Sequence, residues 1–162
     1  MLQAFMNDYD QQRRSWYMFF FQNPLAEVAV AANGFAFLER LWRDWSPGFA
    51  YDAEEMESLK QTFRQPGVLE AALGYYRCTL NPALQKPELA EVQQRIAMST
   101  IEVPTLYFHG ARDGCVGVDL ATGMEPFFPN GLRVEIVPDA GHFVHQEAPD
   151  AVNASILKFI SR

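Results

Sequence analysis

Two short apolar runs in the last third of the chain are each followed by a residue that could take part in acid–base chemistry. The run Val103–His109 stops at Gly110 and is followed by Asp113, and the run Leu132–Val137 is followed by His142. If these runs form neighbouring parallel strands, both side chains emerge at the sheet edge where open α/β sheets place their ligand sites. A carboxylate there can fix the tautomer of an imidazole, so that the other ring nitrogen acts as a general base. The spacing therefore predicts an Asp113–His142 acid–base pair.

Simpler structural roles are open to the polar residues near these strand ends. An aspartate after a strand is usually a turn residue or a helix cap, and a histidine is often a partly buried polar residue, which would also suit Asp113 and His142. We expect turn, structural or supporting roles for three others: Asp139, His109 and His145. Cys115 lies in a Gly-Cys-Val-Gly segment without the surroundings that activate a thiolate, so we do not expect it to be a nucleophile.

Apolar spacing and Pro/Gly punctuation indicate the elements that would position the pair. Up to about residue 97 the apolar residues recur at helical spacing, with breaks at Asn23-Pro24, Ser46-Pro47-Gly48 and Gln65-Pro66-Gly67. Asp52 is typical of a helix N-cap. The period then changes to strand, helix, strand, helix, with predicted segments at Val103–His109, Val118–Phe128, Leu132–Val137 and Pro149–Ile160.

This order of elements predicts an α/β fold in two parts. Residues 1–100 are expected to be helical, and residues 101–162 are expected to form a βαβα segment of a parallel sheet. Two parallel strands alone would leave unpaired edges and uncovered apolar faces. We therefore expect strands from elsewhere to complete the sheet.

Composition excludes several classes of partner. The chain has 162 residues, with 13 Lys and Arg against 20 Asp and Glu, and a net charge of -7. Such an acidic surface is unsuited to nucleic acid, which is bound through basic patches, and to anionic membranes. No Cys/His cluster has zinc-ligand spacing, so no metal site is expected. The sequence shows no secretory signal and no membrane-length apolar run, which favours the cytoplasm.

The second part of the chain resembles the last two strands of an α/β-hydrolase. The resemblance lies in Val-Pro-Thr-Leu-Tyr-Phe-His-Gly-Ala-Arg-Asp-Gly, which begins at Val103, and in Pro-Asp-Ala-Gly-His-Phe-Val-His-Gln-Glu-Ala-Pro, which begins at Pro138. In that family the catalytic triad runs nucleophile, acid, histidine along the chain. The resemblance implies that Asp113 is the triad acid and His142 is the triad base.

The first part resembles the helical cap of epoxide hydrolases. Tyr-Met-Phe-Phe-Phe-Gln-Asn-Pro, which begins at Tyr17, is similar to the start of that cap, and the segment from Gln65 to Arg77 is similar to a later cap helix. In those enzymes two cap tyrosines donate hydrogen bonds to the epoxide oxygen, and the matching positions are Tyr17 and Tyr76. Tyr75 is a rival for the second position, and both rings could instead pack in the core. The abundant aromatic residues, 14% of the chain, would line an apolar substrate pocket.

The family's nucleophile is not found in this sequence. No Gly-x-Ser-x-Gly elbow occurs, nor its counterpart with aspartate in the serine position, and the oxyanion hole that goes with it is also missing. The resemblance therefore covers about the second half of such a hydrolase. We expect the chain alone to be inactive as a hydrolase, and to form a homo-oligomer or to pair with a complementing N-terminal chain.

Two alternatives to an epoxide hydrolase stay open at the level of sequence. Relatives with similar caps carry serine in the elbow, which would make the chain part of a serine esterase. The chain could also be a non-catalytic binding or oligomerising module that reuses the cap pocket. As an epoxide hydrolase or as a serine esterase, the protein would act on a small apolar epoxide or ester.

Overall fold

The computed structural model describes residues 6–161, which form two compact units. One unit contains the described residues up to Arg14, then Arg43–Phe49 and the chain from Met98 onward. The other unit contains Ser15–Trp42 and Ala50–Ala97. Within the described residues no helix has the length and apolar character needed to cross a bilayer.

The chain before Met98 is helical, and none of its described residues forms a strand. The helix Ala53–Phe63 is capped as predicted, because the side chain of Asp52 accepts hydrogen bonds from the backbone N–H groups of Glu54 and Glu55 at 2.6 and 3.2 Å. Helices α1 to α6 span Tyr9–Arg14, Trp16–Phe20, Ala26–Trp45, Ala53–Phe63, Val68–Leu80 and Ala90–Met98.

Helix α3 is interrupted near its middle. Ala32 is extended, and the next three residues, Asn33, Gly34 and Phe35, all have positive φ angles of 51°, 65° and 65°. Only Gly34 can adopt this left-handed conformation without a steric cost from a Cβ atom. The interruption divides α3 into two helical stretches.

Arg77 joins helix α5 to Phe21 and to the first turn of α3. Its Nε donates a hydrogen bond to the Phe21 carbonyl at 2.9 Å, and its Nη2 donates to Glu27 Oε2 at 2.9 Å. The hydrogen bonds from Arg77 lower the pKa of Glu27, so the carboxylate stays charged. This ion pair fixes the register of α5, which carries Tyr75 and Tyr76.

The two predicted strands form a parallel pair. Strand β1 spans Thr105–Gly110 and strand β2 spans Leu132–Val137, with Thr105 opposite Leu132 and Gly110 opposite Val137. Among the described residues the sheet has these two strands only. Helices α7, Val144–Glu147, and α8, Pro149–Ile160, follow β2. A small core lies here, made of Phe108, Val137, Ala140, Val144 and Val152.

The prediction of a helix over Val118–Phe128 was wrong. The structure has two short 3₁₀ helices instead, Val118–Ala121 and Glu125–Phe127. Gly123, with a φ of 70°, separates them, and Pro126 has no N–H to donate to a helical hydrogen bond. The apolar spacing of this connection is helical, but its backbone chemistry does not allow a continuous helix.

The end of β1 lies so close to the turn after β2 that only glycine fits at position 110. A Cβ at Gly110 would lie 2.0 Å from the Gly141 carbonyl oxygen and 2.4 Å from that of Ala140. We expect Gly110→Ala to lower the free energy of unfolding by about 3 kcal/mol or more in urea titrations. Gly74→Ala is the matched control, because Gly74 lies in α5 with open space around it and should gain about 0.5–1 kcal/mol. Equal effects of the two substitutions would contradict this packing.

Candidate active site

Asp113 and His142 meet at the edge of the sheet, as the strand order predicts. His142 Nδ1 lies 2.9 Å from Asp113 Oδ2. Because a carboxylate only accepts, Nδ1 carries the proton and donates it, and Nε2 is the other ring nitrogen. The side chain of Asp113 is 6% exposed and that of His142 is 33% exposed. The pair thus has a buried acid behind a base that solvent can reach.

The ionisation of both residues reflects this contact. The hydrogen bond to Asp113, followed by hydrogen bonding to Cys115, raises the pKa of His142 to about 10, although burial opposes the rise. Burial alone would raise the pKa of Asp113, but hydrogen bonds from His142 and from the backbone of Val116 and Cys115 outweigh it, so that the pKa is lowered. An ionised carboxylate beside a protonated imidazole is therefore the resting state near neutral pH.

The carboxylate of Asp113 is held by its own turn. Its Oδ1 atom accepts hydrogen bonds from the backbone N–H groups of Cys115 and Val116, at 2.7 and 2.8 Å. This side-chain-to-backbone turn leaves Oδ2 free to face His142. The orientation of the acid is therefore fixed before any substrate arrives.

His109 holds the same turn through a hydrogen bond to the backbone of Val116. The Tyr107 hydroxyl lies 2.7 Å from His109 Nδ1, and His109 Nε2 lies 3.0 Å from the Val116 carbonyl oxygen. A carbonyl only accepts, so the proton lies on Nε2 and the Tyr107 hydroxyl donates to Nδ1. His109 is buried, whereas His145, on α7, is exposed. The third residue for which we expected a structural role, Asp139, is exposed and forms an ion pair with Arg112 at 2.6 Å.

The Trp45–Ser46 segment holds both strand-end loops. The Trp45 carbonyl accepts hydrogen bonds from the backbone N–H of Gly114 at 3.0 Å and of His142 at 3.2 Å. Ser46 Oγ accepts from the N–H of His142 at 2.9 Å and donates to Glu147 Oε1 at 2.8 Å. One buried hydroxyl thus uses its donor and its acceptors to tie the histidine turn to helix α7.

We expect Ser46→Ala to lower the free energy of unfolding by about 1–3 kcal/mol, measured by urea titration. The reason is that Ser46 is 1% exposed and its loss leaves the Glu147 carboxylate and the turn at His142 short of a partner. Ser58→Ala is the control, because Ser58 is exposed on α4 and should change stability by less than about 0.5 kcal/mol. Similar values for both variants would show that Ser46 does not hold the turn.

Gln11 fixes the acid loop from a segment about a hundred residues earlier. Its Nε2 donates to the Cys115 carbonyl and its Oε1 accepts from the N–H of Gly117, both at 2.9 Å. Its side chain is buried, so these bonds are shielded from water. Gln11 thereby sets the position of the loop that carries Asp113.

Cys115 has surroundings that differ from those expected. Its Sγ, a carboxylate oxygen of Asp113 and a ring nitrogen of His142 all lie within 4.8 Å of one another. Its expected lack of a nucleophilic role stays a prediction, but the sequence did not indicate that Cys115 lies beside the acid–base pair. The physical reason is the tight turn at Asp113, which brings the thiol two residues further on back towards the imidazole.

In the helical unit, Tyr17 and Tyr76 are neighbours. Their rings pack edge to face with centroids 5.5 Å apart, and each also contacts Phe21. Tyr17 is buried, and Tyr75, the rival of Tyr76, is 81% exposed. This packing pairs Tyr76 rather than Tyr75 with Tyr17.

Known proteins resemble the chain over nearly its whole length, although no protein-family model matches it. Epoxide hydrolase 1 of Caenorhabditis elegans is 29% identical to it over 95% of this chain and 37% of that protein. Epoxide hydrolase 4 of Homo sapiens is 28% identical over 93% of this chain and 40% of that protein. The epoxide hydrolase of Bacillus megaterium, solved in complex with an inhibitor, superposes with a TM-score of 0.77 and 21% identity over 99% of this chain and 56% of that structure. The chain has part of the α/β-hydrolase fold, and its relatives are epoxide hydrolases.

The chain matches only part of each of these known proteins. The chain spans less than half the length of these two curated relatives and just over half of the solved structure. The shared part of the fold is the helical region and the last two strands of the parallel sheet.

Four residues that hold the site of this α/β-hydrolase were missed by sequence reasoning. Ser46 was interpreted as the end of a helix, and Gln11 was not singled out, because their contacts cross about a hundred residues of chain. Trp45 acts through its carbonyl group, which gives no signal in a sequence. Glu147 lies in the histidine motif, where a carboxylate five residues after His142 could have indicated a bond to the turn.

Proposed function

We propose that this chain supplies the acid, the base and two phenolic donors of an epoxide hydrolase. The observation that carries the proposal is the 2.9 Å hydrogen bond from His142 to Asp113, in a chain whose relatives are named epoxide hydrolases. Asp113 orients the imidazole and stabilises its protonated form, and His142 Nε2 faces the reaction. Tyr17 and Tyr76 bind the epoxide oxygen.

The reaction proceeds in two steps. A carboxylate nucleophile attacks one epoxide carbon, the C–O bond breaks, and the alkoxide takes a proton from a tyrosine, which leaves an ester between enzyme and substrate. In the fraction of molecules whose Nε2 has lost its proton, His142 then removes a proton from water, and the hydroxide attacks the ester carbonyl to release the diol and the carboxylate. The imidazolium proton returns to the tyrosinate, which completes the cycle. The nucleophile comes from the part of the α/β-hydrolase fold that lies outside this sequence. No metal and no organic cofactor takes part.

The geometry of Tyr17 and Tyr76 supports their role. Two neighbouring phenol groups within an aromatic cluster can donate to one oxygen in an apolar pocket, where a hydrogen bond to a developing alkoxide is worth more than in water. Phe20 and Phe37 pack against Phe21, which contacts both tyrosines, and Trp16 packs against Phe20 and Phe37 in the same cluster. These apolar rings favour a small apolar substrate.

Exposed apolar residues support the proposal that further strands and helices complete this fold. Each described strand has one neighbour, and Ile136 of β2 and Ile156, Leu157 and Ile160 of α8 are 39–67% exposed. In the complete enzyme, which we place in the cytoplasm, the nucleophile-bearing segment would cover them, on the same polypeptide or on a complementing one. The chain by itself would bury them by forming a homo-oligomer. Light scattering that shows a monodisperse monomer would contradict this.

A chimeric enzyme tests the function directly. This chain replaces the part of the Bacillus megaterium epoxide hydrolase that it matches, so that the remainder of that enzyme provides the nucleophile. We expect the chimera to open epoxides to diols, whereas the chain alone forms no diol. A folded chimera that hydrolyses esters but leaves epoxides intact would contradict the proposal and would favour the esterase alternative.

A further inference from the structure

Three side chains with different ligand atoms converge at the sheet edge. Cys115 Sγ, a carboxylate oxygen of Asp113 and a ring nitrogen of His142 lie within 4.8 Å of one another. Among residues 6–161, no other set of three such groups converges in this way. The cluster combines a sulfur, an oxygen and a nitrogen donor.

We propose that Asp113, Cys115 and His142 bind a zinc ion. Zinc prefers sulfur and nitrogen ligands and accepts a carboxylate, and three protein ligands plus water are a common set for it. Ligand atoms on one tetrahedral zinc ion lie about 3.4–3.7 Å apart, given bond lengths of about 2.0–2.3 Å. The three donors therefore need to move by about an ångström or less. The charges also balance, because a thiolate and a carboxylate together neutralise a divalent cation.

The cluster is held in place before any ion binds. Asp113 Oδ1 is occupied by the backbone N–H groups of Cys115 and Val116, which leaves Oδ2 on the side of His142. Gln11 holds the carbonyl of Cys115 at 2.9 Å. Such outer contacts orient ligands and strengthen metal binding. His142 is one-third exposed while the other two ligands are buried, so the ion would enter past the imidazole.

Zinc in this cluster would occupy both members of the proposed acid–base pair. A bound ion would replace the hydrogen bond between His142 and Asp113 and would be coordinated by the imidazole. It would therefore inhibit the hydrolase rather than assist it. The metal site does not rest on the proposed function, because its donors and their spacing are independent of any reaction.

Cobalt binding to the full chain tests the site. Co²⁺ in place of zinc gives a thiolate-to-metal charge-transfer band, and we expect one equivalent of Co²⁺ per chain to saturate it, in the presence of a non-thiol reductant. We expect Cys115→Ser to abolish the band and to weaken zinc binding, measured by calorimetry, at least about 100-fold. Cys78→Ser is the matched control, because Cys78 is the second free cysteine and is exposed. It should keep both the band and the affinity.

Each outcome of these experiments either supports or overturns the metal site. A band that persists in Cys115→Ser, or that disappears in Cys78→Ser, would overturn the proposal, and so would zinc binding weaker than millimolar in the unmodified chain. Should circular dichroism show that Cys115→Ser does not fold, His142→Ala serves as the second variant and must lower the affinity by a similar factor. No hydrolysis is measured in these experiments, so failure of the metal site and failure of the epoxide hydrolase proposal are distinguishable.

Discussion

His142→Ala in the chimeric epoxide hydrolase is expected to abolish turnover while leaving the first chemical step intact. The nucleophile opens the epoxide without help from the imidazole, so one equivalent of substrate becomes attached as an ester. Hydrolysis of this ester needs the general base, whose loss costs about 10²–10⁴-fold in rate. Mass spectrometry of the intact protein should therefore show the mass of one substrate added per chain, together with a burst that equals the enzyme concentration.

The matched control for this experiment is His145→Ala. His145 lies three residues after His142 on α7 and is exposed, so its loss should leave turnover within about twofold of the parent, as is typical of surface substitutions. Two results would contradict the role of His142. One is turnover in His142→Ala equal to that of the His145 variant, and the other is loss of turnover without an ester.

The combined Tyr17→Phe and Tyr76→Phe variant is expected to fail at the opposite step. Without a phenol to protonate the leaving oxygen, ring opening should slow by about 10²–10³-fold or more, because each donor to a developing oxyanion contributes on this scale. When both tyrosine substitutions are combined with His142→Ala, the ester should no longer accumulate. Single-turnover kinetics of epoxide opening measure this rate.

Phenylalanine keeps the edge-to-face packing of the two rings, which lie 5.5 Å apart, so stability should change by no more than about 1 kcal/mol. Tyr75→Phe is the control, because Tyr75 is 81% exposed and should keep the parent rate. If Tyr75→Phe slowed ring opening and Tyr76→Phe alone did not, Tyr75 rather than Tyr76 would be the second hydrogen-bond donor. An unchanged rate in the double variant would remove both residues from the mechanism.

The strands and the meeting of acid and base could be predicted from local sequence. Leu132–Val137 alternates in a way that specifies a strand, and the structure has β2 with these bounds. Once β1 and β2 are parallel neighbours, their carboxyl ends must share an edge, so the topology brings Asp113 and His142 to the same edge of the sheet.

The supports of the site could not be predicted in this way. Ser46 and Gln11 bond groups about a hundred residues away, and no periodicity encodes which distant loop a buried polar group will meet. The position of Cys115 beside His142 could not be predicted for a different reason. Its proximity to His142 depends on the tight turn that the Asp113 carboxylate makes with its own backbone, which a list of neighbours in sequence does not show.

The acid–base pair also determines how stability depends on pH. The pKa of His142 is raised in the folded chain, so its contribution is complete below the unfolded value near 6.5 and is lost as the pH rises through about 10. The pKa of Asp113 is lowered, so its contribution is present above the unfolded value near 3.8 and is lost as the pH falls below it. The pair therefore stabilises the fold most between about pH 4 and pH 6.5.

The most direct test of the central claim is a titration of His142 followed by NMR on the imidazole nitrogens in metal-free buffer, with the chain and with Asp113→Asn. We expect His142 to lose its proton near pH 10 in the parent chain, with Nδ1 as the donor to Asp113, and at a clearly lower pH in the variant. A His142 that titrates near 6.5 in both proteins would show that the carboxylate does not act on the imidazole, and the acid–base pair would have to be abandoned.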